Sequence, residues 1–247
     1  MYPFVEGHKD IEKAYQVNIA EFHNKHKGET CLITGVGPNL HLTPPQWFNY
    51  PSFGVNTIYK SALLGLYAGW KPTYYVGVDE RLRLEDGSAI VETYPDVHKF
   101  FPRPDWDELQ GDNIHRFAHR TGIDFIVGGQ LPSHRDALTK NGITYRRIMD
   151  AVFQIAWHMG FTTMLMIGVQ HKPNNGKHDD TAHFWGADEK AVQDQPNTWW
   201  FDGYRFFSNI KDFRVLNISE DTYVPDDVLP RGRWQDFANV AEGIKAA

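Results

Sequence analysis

Cys31-Leu32-Ile33-Thr34-Gly35-Val36-Gly37-Pro38-Asn39-Leu40 is the stretch on which the fold turns. A short apolar run stops abruptly at Gly-x-Gly-Pro, then continues through a polar residue into Leu. That pattern is expected where a buried parallel strand runs into a loop whose main chain can approach a ligand. Gly35 and Gly37 carry no β-carbon, so the loop is free to take positive φ and a phosphate or sugar can touch the backbone. Pro38 and Asn39 complete the turn. An ordinary strand-to-turn junction has the same local signature, so the remaining elements must decide.

Working outward, Asp10 to about His26 places Ile11, Ala14, Tyr15, Ile19 and Phe22 at helical spacing. The first strand is expected at 30–34 and a second at Phe53–Asn56, followed by a helix from Ile58 to Tyr67 that ends by Gly69. Thr73–Val78 reads as a strand that closes on Asp79. Residues 80–121 are charged and Pro-containing, and read as an irregular excursion with short helices. Phe125–Val127 reads as another short strand. Ile148, Ala151, Val152, Ile155 and Met159 give Tyr145–Met159 one buried face, Gly160 ends that helix, and Thr163–Val169 reads as a buried strand. A polar, aromatic, lid-like loop spans about 170–198. A helix near Trp199–Ile210 and a last strand at Phe213–Ile218 follow.

Strands alternating with helices predict an α/β fold: one Rossmann-like domain with a mainly parallel sheet and helices on both faces. Ligands of such sheets bind beyond the carboxyl ends of the strands. The glycine loop, Asp79 and the segment 170–183 all follow strand ends, so they are expected on one rim.

Composition narrows the function classes. The chain has 247 residues, 41% of them apolar and 23% charged, enough for a full core in one large domain. The net charge of −6 argues against nucleic acid or an anionic membrane as a general partner. The single cysteine, Cys31, cannot form an internal disulfide. The N-terminal residues lack a secretory pattern, and Ala151–Val169 is too polar to span a bilayer. A soluble, cytoplasmic protein is expected.

Several segments in this order resemble one family. It comprises bacterial sialyltransferases that use CMP-activated sialic acid, motility-associated proteins that glycosylate flagellin, and archaeal 6-hydroxymethylpterin pyrophosphokinases. Its entry motif, Gly-Asn-Gly-Pro-Ser-Leu, is similar to Gly35-Val36-Gly37-Pro38-Asn39-Leu40. A strand ending in Asn is matched by Phe53–Asn56, and a Pro-Thr-Tyr-Tyr strand with a terminal acid by Pro72–Asp79. A helix ending in Met-Gly-Phe before a strand ending Gly-x-Asp is matched by Ile155–Gln170, and a later His-Phe or His-Tyr pair by His183-Phe184. Val215–Ser219 resembles the family's last strand. The likeness covers roughly residues 30–236, with a divergent insertion at about 80–125. Four positions depart from the pattern. Val36 replaces the loop Asn, Asn39 the Ser and Gln170 the terminal Asp, while Ala187 stands where the sialyltransferases carry a catalytic His. The family's phosphate-contacting tyrosines have no counterpart near His171 and Lys172.

Glycosyl transfer with inversion needs a base for the acceptor hydroxyl and donors for the departing phosphate. Lys177-His178-Asp179-Asp180-Thr181-Ala182-His183 is the richest supply of such groups. His183 is the preferred base and His178 the next, since an imidazole of pKa about 6.5 suits proton transfer near neutrality. Asp180 or Asp179 could orient the ring. Asn56 could read a base or sugar through its amide, and Asp79 could hold a ribose hydroxyl or Mg²⁺. The plainer roles for these residues are a solvated loop for the histidines, a turn for Asn56 and a helix N-cap for Asp79. Arg146 and Arg147 open a helix against its dipole, which points to an anionic ligand or an acidic neighbour. Lys172 and Lys177 could pair with a phosphate. Of Trp185, Trp199 and Trp200, two are expected to serve packing.

Three functions remain open. The leading one is a sialyltransferase-like glycosyltransferase that binds a nucleotide or nucleotide-sugar and a small-molecule or glycan acceptor, with no cofactor. The second is a Mg²⁺-dependent pyrophosphokinase acting on a small hydroxymethyl, pterin-like substrate. The third is a non-catalytic nucleotide-binding relative.

Overall fold

The structure, a computed structural model, describes residues 19–103, 106–118, 147–171, 183–185 and 201–239. Seven strands form one sheet: β1 (Thr30–Thr34), β2 (Ser52–Val55), β3 (Tyr74–Val76), β4 (His98–Arg103), β5 (Ile114–Ala118), β6 (Thr163–Ile167) and β7 (Arg214–Asn217). Their order is β5-β4-β3-β2-β1-β6-β7, and every pairing is parallel. The chain builds outward from β1 through β5, then returns to the other side of β1 for β6 and β7. The order therefore reverses between β1 and β6, and the crevice beyond their carboxyl ends is where such sheets take ligands.

β1, β2, β3 and β6 bury both faces, which is why the sequence shows apolar runs there instead of alternation. Cys31 and Ile33 enter one core, and Leu32 enters the other. Helix α3 (Ile148–His158) brings Ala151, Val152, Phe153, Ile155 and Ala156 into the first core, where α4 (Asp202–Ser208) adds Phe207. The second core lies across the sheet and holds Leu40, Ile58, Tyr59 and, from α2 (Glu80–Thr93), Leu82 and Ile90. The short helix α1 (Lys60–Leu63) borders it. The α/β architecture with helices on both faces is as the alternation of elements predicts. Among the described residues no helix is long and apolar enough to cross a membrane.

Two stretches differ from the expectation. Within 80–118 three regular elements stand where an irregular excursion was expected: α2 and the paired strands β4 and β5. Their charges are absorbed locally: buried Lys99 donates to the carbonyls of Tyr94 and Val97, and Arg116 pairs with Asp107 at 3.3 Å. The helix expected at 10–26 is, over its described part, a 3-10 turn (Ala20–Phe22) followed by turns. Asn24, His26 and Gly28 donate their N–H groups to His158, Met159 and Gly160 at the end of α3 instead of to their own segment. Phe22 then packs edge-on against Tyr74, His98, Phe100 and His115. The helix read at 58–67 is also shorter. It ends after Leu63 because Gly65, Tyr67, Ala68 and Gly69 all take positive φ. The strand read at 125–127 lies outside the described residues.

Candidate active site

At the reversal point the loops after β1 and β6 are in direct main-chain contact. Gly35 N–H donates to Ile167 O and Gly37 N–H to Gly168 O, both at 2.8 Å. A β-carbon on Gly35 would lie 2.5 Å from Gly168 O, and one on Gly37 would lie 2.7 Å from the same oxygen. This corrects the reading of the two glycines. Gly37 is extended (φ −62, ψ 153), and positive φ belongs to Gly168 (φ +65). The missing side chains admit the neighbouring loop, and the N–H groups of both glycines are already bonded to it or to the end of β6.

Pro38–Leu42 forms a 3-10 turn in which Asn39 is buried. Its Nδ2 donates to the Glu220 carbonyl, and its Oδ1 has no hydrogen-bond partner among the described residues. Gln170, three residues beyond β6, donates from Nε2 to Asp221 Oδ2 at 3.3 Å, and its Oε1 likewise has no partner among the described residues. Thr34 Oγ1 and Asn56 Oδ1 complete a group of buried acceptors at strand ends. Asn56 follows β2 directly in a left-handed conformation (φ +46), which Asn tolerates better than most residues. Glu220 and Asp221 escaped sequence reasoning. The rule that sites follow strand ends, applied to β7 as well, would have flagged them.

His183-Phe184-Trp185 sits on the glycine loop: Phe184 N–H donates to Val36 O at 3.1 Å. The His183 ring stacks on Trp185 with centroids 4.2 Å apart and planes 9° from parallel, and Lys60 Nζ lies 4.9 Å from the Trp185 ring centroid. Phe184 packs toward Tyr67, with ring centroids 5.9 Å apart. The early loop and the preferred base are thus neighbours. His178, Asp179, Asp180, Lys172, Lys177, Ala187, Trp199, Trp200 and Arg146 lie outside the described residues.

Asp79 is exposed and caps α2, its Oδ1 accepting Arg81 N–H at 2.8 Å. The plainer of its two expected roles is the one seen. Among the described residues no group of three His, Cys, Asp or Glu is arranged around a common metal position.

A second histidine joins the rim. His171 has φ +50 and shares a 2.7 Å hydrogen bond from Nε2 to the Tyr204 hydroxyl. Burial beside Phe201 and Tyr204, with Arg147 nearby, lowers the imidazole pKa to about 4. Burial pushes the Tyr204 hydroxyl well above its usual range. The pair is therefore neutral at physiological pH and can relay a hydrogen bond without holding charge. Arg147 is the N-cap residue of α3, and its backbone N–H donates to the buried Asp150 carboxylate at 3.2 Å as part of a capping box.

No protein-family model matches the chain, and no curated protein matches it. Among solved structures it is similar to the sialyltransferase CstII from Campylobacter jejuni in complex with cytidine-5′-monophosphate. Identity is 12% and the TM-score 0.46, covering 87% of this chain and 86% of that one. It is also similar to the α-2,3-sialyltransferase Cst-I from Campylobacter jejuni (12% identity, TM-score 0.47, 83% and 80% covered). A second CstII structure, with trisaccharide acceptor and CMP, gives 12% identity and a TM-score of 0.47 over 81% and 85% of the two chains. The fold assignment itself stands on the strand order and all-parallel pairing.

Proposed function

We propose that this protein is a glycosyltransferase that takes a nucleotide-activated sugar, with the nucleotide in the crevice between β1 and β6. His183 serves as general base toward a glycan or small-molecule hydroxyl. One observation carries the reading: the turn bearing His183 is bonded to the glycine loop, through Phe184 N–H and Val36 O, at the point where the strand order reverses. This contact supports the reading, since displacement at an anomeric carbon requires the proton acceptor and the donor sugar to lie together. Side chains handle the proton in this scheme, so it calls for no cofactor.

Titration calorimetry with CMP, UDP and their sugar conjugates tests it. Binding of at least one nucleotide, with the sugar conjugate turned over in the presence of a hydroxyl acceptor, is the expected result. Binding without turnover of any donor would leave a nucleotide-binding protein that performs no transfer, and binding by none would remove the reading.

A further inference from the structure

Asn39 and Gln170 belong to different loops, yet their amides are held in the same way. Glu220 and Asp221, consecutive after β7, take the NH₂ groups: the Glu220 carbonyl accepts from Asn39 Nδ2, and the Asp221 carboxylate from Gln170 Nε2 at 3.3 Å. Turning either amide over would set oxygen against oxygen, so both orientations are determined by their partners. The carbonyl oxygens are left over. Asn39 is 2% exposed and Gln170 8% exposed, and neither Oδ1 nor Oε1 has a partner among the described residues. Asn39 Oδ1 and the Gln170 backbone N flank the same point, 3.0 and 3.3 Å from where a β-carbon on Gly37 would stand.

Buried acceptors in native proteins are normally paired, and leaving two unpaired beside one loop is unfavourable. A ligand group offering hydrogen-bond donors removes that penalty. A phosphate would worsen it, because it brings only acceptors at neutral pH. The loop's Gly35 and Gly37 N–H groups are already bonded to β6, and the Asp221 carboxylate stands close by. We infer that Asn39 Oδ1 and Gln170 Oε1 form a donor-reading subsite for the neutral part of a nucleotide, and that the phosphate lies away from the glycine loop. This rests on the nucleotide-sugar reading and adds to it which part of the ligand meets which residues. The donors are ribose hydroxyls or an exocyclic amino group; both present the same chemistry to a carbonyl oxygen.

The test compares CMP, UMP, 2′-deoxy-CMP and 3′-deoxy-CMP by calorimetry on the full chain and on Gln170→Met, and melts both proteins without ligand. In the parent protein, removing the recognised donor should weaken binding about tenfold. A deficit for a deoxy analogue assigns the ribose, and a deficit for UMP assigns the amino group. Gln170→Met should shrink that gap to about twofold or less. Melting without ligand checks only that the variant is folded, because the change removes the unpaired Oε1 and the Nε2 bond to Asp221 together. Four nucleotides binding alike, or a gap that survives Gln170→Met, overturns the inference while leaving the nucleotide reading standing. Binding by none of the four overturns the nucleotide reading and this subsite together.

Discussion

Gly35 and Gly168 approach so closely that a methyl group on Gly35 would lie 2.5 Å from the Gly168 carbonyl oxygen. Both residues directly follow the ladder's last pair, Thr34 and Ile167, and are held by the bonds from Gly35 N–H to Ile167 O and from Gly37 N–H to Gly168 O, so neither side can yield cheaply. Gly35→Ala should therefore destabilise the protein by about 1–3 kcal/mol, read as a lower urea midpoint. Gly87→Ala is the contrast. Gly87 lies inside α2, and its added methyl would meet the flexible end of the Leu109 side chain at 3.3 Å. A neutral or slightly stabilising change, up to about 1 kcal/mol, is expected there.

Lys99 is buried, and its ammonium donates to the Tyr94 and Val97 carbonyls. Burial lowers its pKa to about 8, with Asp96 opposing the shift. Between pH 8 and about 10 the unfolded chain holds this proton more firmly than the native one, so stability should rise with pH through that window. Above pH 10 the sign reverses. Burial raises the pKa values of Tyr67, Tyr74 and Tyr94 to about 12, and native protein then holds more protons than unfolded chain. Urea midpoints from pH 7 to 11 should pass through a maximum, and Lys99→Met should flatten the rising limb.

His171 behaves in the opposite pH range. Its folded pKa of about 4 lies below the ordinary value for a histidine, so the unfolded chain takes up a proton first as pH falls below about 6.5. Stability should be lost between pH 6.5 and 4, by at most about 3 kcal/mol from this group. His98 acts in the same direction, because burial first and then Lys25 and Lys99 lower its pKa, against Glu21. Its Nδ1 is 2.8 Å from Nε2 of His115, a contact that needs one ring unprotonated. His171→Gln should reduce the acid slope of stability without abolishing it, leaving the His98 contribution.

His183 should control turnover more than binding. His183→Ala is expected to lower the rate of sugar transfer by about 10²–10⁴-fold, with nucleotide affinity changed by no more than about threefold. Removal of divalent cations with EDTA should leave the rate of the parent protein unaltered. A large loss of affinity in His183→Ala would instead make the ring a packing element of the Trp185 stack.

What was legible from residue order alone was whatever local physics dictates. β1 could be read to its exact ends, and β6, β7 and α3 to within a few residues, because a strand buried on both faces must be a continuous apolar run. The parallel architecture followed from alternation of elements, and the rim from the rule of strand ends. β4 and β5 were missed because Lys99, Arg116 and His115 look like surface residues until the carbonyls and carboxylates that receive them are folded alongside. The conformation expected of Gly35 and Gly37 differs from the one observed for a related reason. A glycine in a sequence records that room is needed, and only the folded chain shows that the Gly168 carbonyl takes it. Short-range patterning therefore determined the elements and their stacking. Which amide oxygens remain unpaired was decided by Glu220 and Asp221, about 180 and 50 residues away along the chain from Asn39 and Gln170, since hydrogen bonding depends on proximity in space and residue order does not report it.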